Sequence, residues 1–260
     1  MMKTLSIAFC FMMLGFVHPL HAASSVLVWP IYQVIDADQN GSALWLENRG
    51  AKPVRLQIRV MAWKQRQQKE AYAEQNLVVA SPPFATIAPG KKQLIRLMRT
   101  AAVEPGTESA FRIIIDEIPA GNVASGGERA GLTLQMRYLL PLFVNGEGIW
   151  SRERSDRPLS ASQIAHPVLS WKIATVNGKA YLHVQNRGIV HARLSNVFLG
   201  NSSSPDSTAL YIARGFLGYV LPGQSMQWPI PDGRNSVSHG LSLFAQLEDN
   251  RPAVKLDRAG

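Results

Sequence analysis

Asp116 and Glu117 stand side by side at the end of an apolar run, and they are the first residues to test for chemistry. In an extended chain, neighbouring side chains point to opposite faces. The two carboxylates are therefore badly placed to cooperate as an acid/base pair. Solvation at a strand end accounts for them better. Beyond residue 23 the histidines are His166, His183, His191 and His239. Their spacing fits neither His-x-His nor His-Glu-x-x-His, the ligand patterns of a metal centre. His183 and His191 can approach across a hairpin, where a surface or satisfied pair is the simpler outcome. There is no Gly-x-Ser-x-Gly elbow and no phosphate loop. We therefore expect no catalytic residue, no metal, no cofactor and no small-molecule substrate, and the protein is not expected to be an enzyme.

The informative pattern lies instead in residues 131–144. Leu132, Leu134 and Met136 alternate with Thr133, Gln135 and Arg137. That is strand periodicity, with one apolar and one polar face. Residues 111–118 form a second apolar run that ends at Pro119, and a Gly-rich link, 120–130, joins the two. A long apolar strand at a sheet edge invites another chain, because its N–H and C=O groups lack partners. If residues 131–144 lie at an edge, pairing with another chain is a use for them.

Strand signals dominate the rest. Residues 25–34, 42–47 and 54–63 read as strands, the last with Val54, Leu56, Ile58 and Val60 on one face. Short strands follow at 77–80, 84–87 and 93–98, with Pro89-Gly90 as a turn. Such spacing predicts a β-sandwich. Residues 65–75 are polar all round and read as a loop or hairpin extension rather than a packed helix. After Val144 the composition turns polar and charged through 151–162, which marks a linker. A second strand-rich region follows, with a hairpin signal at Asn177-Gly178. The fold class is all-β, two immunoglobulin-like sandwiches, with domains at 24–148 and 149–260. Two corners echo each other: 46–50 and 184–188 both end in Asn-Arg-Gly, and Arg-Leu follows each a few residues on. The echo reads either as two related domains or as a common turn used twice.

Residues 1–23 have the form of a secretory signal: a basic start at Lys3, an apolar core too short to span a membrane, and small residues at 22–23. Cys10, the sole cysteine, leaves with it, so no disulfide can support the mature chain. The formal net charge is +9, one unit of which belongs to Lys3. The basic residues are dispersed, and no aromatic–basic stacking motif occurs, so nucleic acid is not an expected partner.

Taken in order, these features resemble the periplasmic pilus-assembly chaperones of the chaperone–usher pathway. The N-terminal strand is followed by Ser81-Pro82-Pro83-Phe84, Ile87-Ala88-Pro89-Gly90, Leu94-Ile95-Arg96-Leu97 and the apolar run to Pro119. Asp116-Glu117-Ile118-Pro119 and Tyr138-Leu139-Leu140-Pro141-Leu142-Phe143 are most similar to the archaic clade. The resemblance implies a periplasmic location and two partners: pilus subunits, which are immunoglobulin-like domains lacking their last strand, and an outer-membrane usher. It implies that the chaperone lends the missing strand. Leu132, Leu134 and Met136 match the donor positions, and Leu140 continues their parity.

The chain departs from the family at its carboxylate anchor. The Arg and Lys that grip the subunit's C-terminus in familiar members fall here at Pro30 and Pro141, which carry no charge and no N–H. Both prolines suit strand ends or an unpaired edge. A guanidinium suits bidentate carboxylate binding, so Arg112 is the leading substitute anchor, followed by Arg137 and Arg96. A second reading is a secreted carbohydrate-binding or adhesive sandwich that uses its six tryptophans. These are scattered along the chain, and core packing explains most of them.

Overall fold

The computed structural model describes residues 26–119, 135–231 and 240–259. The expected signal segment, Leu132 and Leu134 lie outside these residues. The described N-terminal part carries β1 (Val26–Trp29), β2 (Gln33–Ile35), β3 (Gly41–Asn48), β4 (Val54–Arg66), β5 (Lys69–Ala73), β6 (Val78–Ser81), β7 (Phe84–Ile87), β8 (Lys92–Arg99), β9 (Glu108–Glu117) and β10 (Arg137–Asn145). They form two sheets. One has the order β1-β3-β8-β6, and the other β2-β10-β9-β4-β5, with β7 also on β4. The opening stretch thus changes sheets at Pro30: β1 pairs with β3, and β2 runs parallel to β10.

Alternation places the core between the sheets. Val54, Leu56 and Ile58 of β4 meet Ile113 and Ile115 of β9, and Leu44, Leu46, Ile95 and Leu97 close from the other sheet. The polar 65–75 segment is the β4–β5 hairpin, turned at Gln67 and Gln68, both with positive φ. Positive φ at both central residues gives a two-residue turn whose twist matches its strands.

The C-terminal part carries β11 (Leu169–Val176), β12 (Lys179–Asn186), β13 (Ala192–Gly200), β14 (Thr208–Val220), β15 (Ser225–Pro229), β16 (Ser242–Gln246) and β17 (Val254–Arg258). β17 pairs with both β11 and β16, so the strands make one folded ladder around a second core. β14 is much longer than the 210–213 stretch legible in sequence. Arg214, Gly215 and Gly218 interrupt its apolar pattern, and register shifts along β13 absorb the irregularity.

The Asn-Arg-Gly echo is one device used twice. Asn48 and Asn186 are fully buried. Each Nδ2 donates to the carbonyl four residues on, Lys52 or Val190, at 2.8 Å. Each also donates to a carbonyl on another strand or its flank, Ile87 (2.8 Å) or Val220 (3.1 Å). Each Oδ1 accepts from the glycine two residues on, at 2.9 Å. The backbone N–H of each asparagine donates to the residue after a Pro-Gly turn, Lys91 or Gln224. Gly90 and Gly223 in those turns both have φ of 69°. A shared turn alone does not explain four matching contacts.

Candidate functional site

β10 carries the candidate site of the N-terminal domain. Its pairing with β9 runs from Arg137 opposite Asp116 to Asn145 opposite Glu108. The Glu117 N–H donates to the Met136 carbonyl at 3.1 Å. Antiparallel bonding alternates, so the N–H and C=O of Arg137 and Leu139 turn away from β9. On that open side β2 covers only Leu142, Phe143 and Val144. Among the described residues no strand pairs there with 136–141. Pro141 sits beside the start of β2, where its missing N–H costs no ladder bond.

One face of β10 runs out of the core. Val144 and Leu142 are fully buried, Leu140 is 9% exposed, and Met136 is 41% exposed. Tyr138, between them, is half-buried and anchors its hydroxyl on the Val26 carbonyl at 2.8 Å. Leu140, expected to continue the donor parity, has its side chain in the core of its own domain. Leu139, on the opposite face, is exposed.

The three candidate arginines are not brought together. Arg112 lies on β9 directly opposite Pro141. It is buried, its guanidinium stacks 3.6 Å from the Trp63 ring centre and lies 5.6 Å from that of Tyr219, and its Nη2 donates to Glu70 Oε1 at 3.0 Å. Arg137 is exposed at the far end of β10, about 14 Å from Pro141 by strand rise. Arg96 is on β8, in the other sheet, between Ala43 and Ser81. Arg112 therefore faces the junction of the domains, and the other two do not share its surroundings.

Asp116 is not merely a solvated strand end. Arg137 Nε makes a short bond to its Oδ1, and Arg59 Nη2 donates to Oδ2 at 2.7 Å. Partial burial opposes ionisation, yet the hydrogen bonds from Arg137 and Arg59 outweigh it and hold the carboxyl below its usual range. A carboxyl lowered in the folded state stabilises the fold above its unfolded value, near pH 3.9, and loses that effect as pH falls through the folded value. Both arginines are well exposed to solvent, which limits the gain. Asp116→Asn is expected to cost about 0.5–1 kcal/mol at pH 7, a cost that shrinks as pH falls through the lowered folded-state value. Urea unfolding at pH 7 and across the acid range checks this; a gap that does not shrink in acid counts against the pairing.

The domain junction holds residues that no motif announced. Phe143 lies flat on His191 with ring centres 3.4 Å apart, and packs against Tyr32, Trp63 and Tyr219. His191 donates its backbone N–H to Glu108 Oε1 at 2.9 Å and bonds Glu108 Oε2 through Nδ1 at 2.8 Å. A carboxylate only accepts, so Nδ1 carries the proton; in the neutral ring Nε2 then accepts from the Tyr32 hydroxyl at 2.8 Å. Burial, and next the Glu108 charge, push that hydroxyl well above the ordinary tyrosine range. The Gln65 amide spans the junction as well, donating to the Tyr219 carbonyl at 2.8 Å and accepting from the Leu221 N–H at 3.0 Å. His183, by contrast, sits on β12 between Lys172 and Gln227 and is no partner of His191. Among the described residues no group of His, Cys, Asp and Glu is arranged to hold a metal ion. No helix among them is long and apolar enough to cross a membrane.

An open strand edge beside a two-domain junction defines a class. Residues 31–149 match the pili and flagellar-assembly chaperones, PapD N-terminal domain. The N-terminal domain is thus that of a pilus-assembly chaperone, a family of non-enzymatic proteins, and the likeness to solved chaperones of the chaperone–usher pathway runs over most of the chain. It is similar to a chain of the CsuC–CsuE chaperone–tip adhesion subunit pre-assembly complex from archaic chaperone–usher Csu pili of Acinetobacter baumannii. Identity there is 29% and the TM-score 0.72, covering 91% of this chain and 100% of that one. The fold is shared with the Salmonella enterica SafA pilin–SafB chaperone complex at 18% identity (TM-score 0.59; 90% of this chain, 96% of that one). It is shared too with the Pseudomonas aeruginosa CupB2 chaperone at 18% identity (TM-score 0.57; 90% and 100%). No curated protein matches the chain by sequence.

Proposed function

We propose that the protein works in the periplasm, lends the strand leading into β10 to incomplete pilus subunits, and passes them to an outer-membrane usher. The observation that carries this is the unpaired side of β10 together with its emerging apolar face. Strand addition takes its affinity from main-chain hydrogen bonds and its selectivity from alternate side chains. Arg137 and Leu139 supply the main-chain groups, and Leu132, Leu134 and Met136 supply the side chains. Burying three large apolar side chains is worth roughly 5–9 kcal/mol before ordering costs, strong enough to hold a subunit and weak enough to release it.

Arg112 is the cation for the subunit's C-terminal carboxylate. Its place opposite Pro141 supports this, because the neighbouring strand then supplies the charge that Pro141 lacks. Leu139, exposed on the same face, flanks the approach. The test is co-expression with small immunoglobulin-like subunits, followed by purification through the chaperone. A one-to-one complex is expected, and failure to recover one with any cognate subunit would sink the reading. Arg112→Ala should lower complex yield about ten- to hundredfold, as expected for a lost charge-assisted contact, with Arg112→Lys retaining part of it. Unchanged yield in both variants removes Arg112 from the site.

A further inference from the structure

We infer that Glu70 is a built-in stand-in for the incoming carboxylate: it occupies Arg112 in the free chaperone and is displaced when a subunit terminus binds. The inference rests on the reading of Arg112 as the anchor and adds a residue that sets how readily the anchor is taken. Arg112 and Glu70 are 42 positions apart and belong to β9 and β5, with β4 between them. Arg112 lies opposite Met61, and Glu70 opposite Gln65. Strand alternation therefore puts Arg112, Trp63 and Glu70 on the same side of the sheet.

The occupation is incomplete. Nε and Nη2 form the side-on fork of a guanidinium, the edge that takes a carboxylate with two parallel bonds. Glu70 engages Nη2 alone. Arg112 Nε is buried and has no hydrogen-bond partner among the described residues. The second Glu70 oxygen is turned aside, because the Tyr72 hydroxyl makes a short bond to Oε2. Burial and then this bond to Glu70 push the Tyr72 hydroxyl up to about 12, so it stays a donor throughout the neutral range. A carboxylate free of that tether can take both fork positions, which Glu70 does not.

Access favours exchange at this point. The Arg112 side chain is 9% exposed and that of Glu70 32%. A ligand therefore meets Glu70 before it meets Arg112. Glu70 sits in the hairpin's outer strand, which among the described residues has β4 as its one neighbour. Rotation of the Glu70 side chain opens Nη2 without breaking a ladder bond. Trp63 stays beneath the guanidinium and keeps it in place. The pair thus prevents an unsatisfied buried charge in the empty chaperone and weakens the site by a set amount.

Acetate is the simplest probe of such a site. Wild type, Glu70→Gln, and Glu70→Gln combined with Arg112→Lys are titrated with sodium acetate against sodium chloride at equal ionic strength. The Arg112 Nε–H and Trp63 indole N–H resonances report binding, with the indole alone in the double variant. Glu70→Gln keeps the shape and removes the competing charge, so it should bind acetate about three- to tenfold more tightly than wild type. Loss of that gain on adding Arg112→Lys places the acetate on the guanidinium fork. Equal affinity in wild type and Glu70→Gln, with binding still abolished by Arg112→Lys, overturns the exchange and leaves the anchor standing. An indole response indifferent to Arg112→Lys overturns both.

Discussion

Leu134→Glu is expected to abolish recovery of chaperone–subunit complexes while the chaperone itself stays folded. Under the strand lending proposed above, the Leu134 side chain enters the subunit's groove. The substitution removes a burial worth about 1.5–3 kcal/mol and asks the groove to take a carboxylate instead, which costs roughly 2 kcal/mol or more. The sum of about 4 kcal/mol lowers affinity roughly a thousandfold. Circular dichroism and thermal unfolding of the free variant should match wild type, since the described core closes around Leu140, Leu142 and Val144. Normal complex recovery from Leu134→Glu contradicts strand lending. Loss of the free protein's own fold shows instead that the side chain belongs to the chaperone's interior.

Phe143→Ala should be the most destabilising single change at the domain junction. Phe143 is fully buried, stacked on His191 and surrounded by Trp63, Tyr219 and Tyr32. Truncating a phenylalanine in such a place costs about 3–5 kcal/mol, because the cavity cannot collapse fully. For a protein of this size the thermal midpoint should fall by roughly 6–12 °C. The unfolding transition should also split in two, since Phe143 comes from the N-terminal domain and its main stacking partner from the C-terminal one. Calorimetry distinguishes the outcomes: a shift under about 2 °C in one sharp transition means that the domains are held together elsewhere. The Gln65 bonds to Tyr219 and Leu221 are the next contacts to test in that case.

Two consequences follow from where the charged groups lie. Arg112 is a buried cation whose acidic partner among the described residues is Glu70, so it is expensive to leave alone. Asp116 is the reverse case, a carboxylate between two exposed arginines beside the open edge. It neutralises positive charge on the strand end without taking up the main-chain groups that face outward.

Local order along the chain determined a good deal. Period-two alternation and Gly/Pro turns specify strands wherever one face is buried, because a slip of one residue would expose the whole apolar row. That is why β4, β9 and β10 were legible, whereas the polar 65–75 segment, with no apolar row, read only as a loop or hairpin extension. The matched asparagines at 48 and 186 were visible as an echo, since part of what each bonds lies two and four residues on, within the same short motif. Tertiary structure decided what crosses between elements. Leu140 and Met136 share a parity, and only the position of the domain's end along β10 makes one of them core and the other surface. Glu70 reaches Arg112 across β4, and His191 reaches Glu108 across 83 positions of chain. Periodicity carries no information about such pairs, because it records which face a side chain takes and not which strand or domain lies opposite.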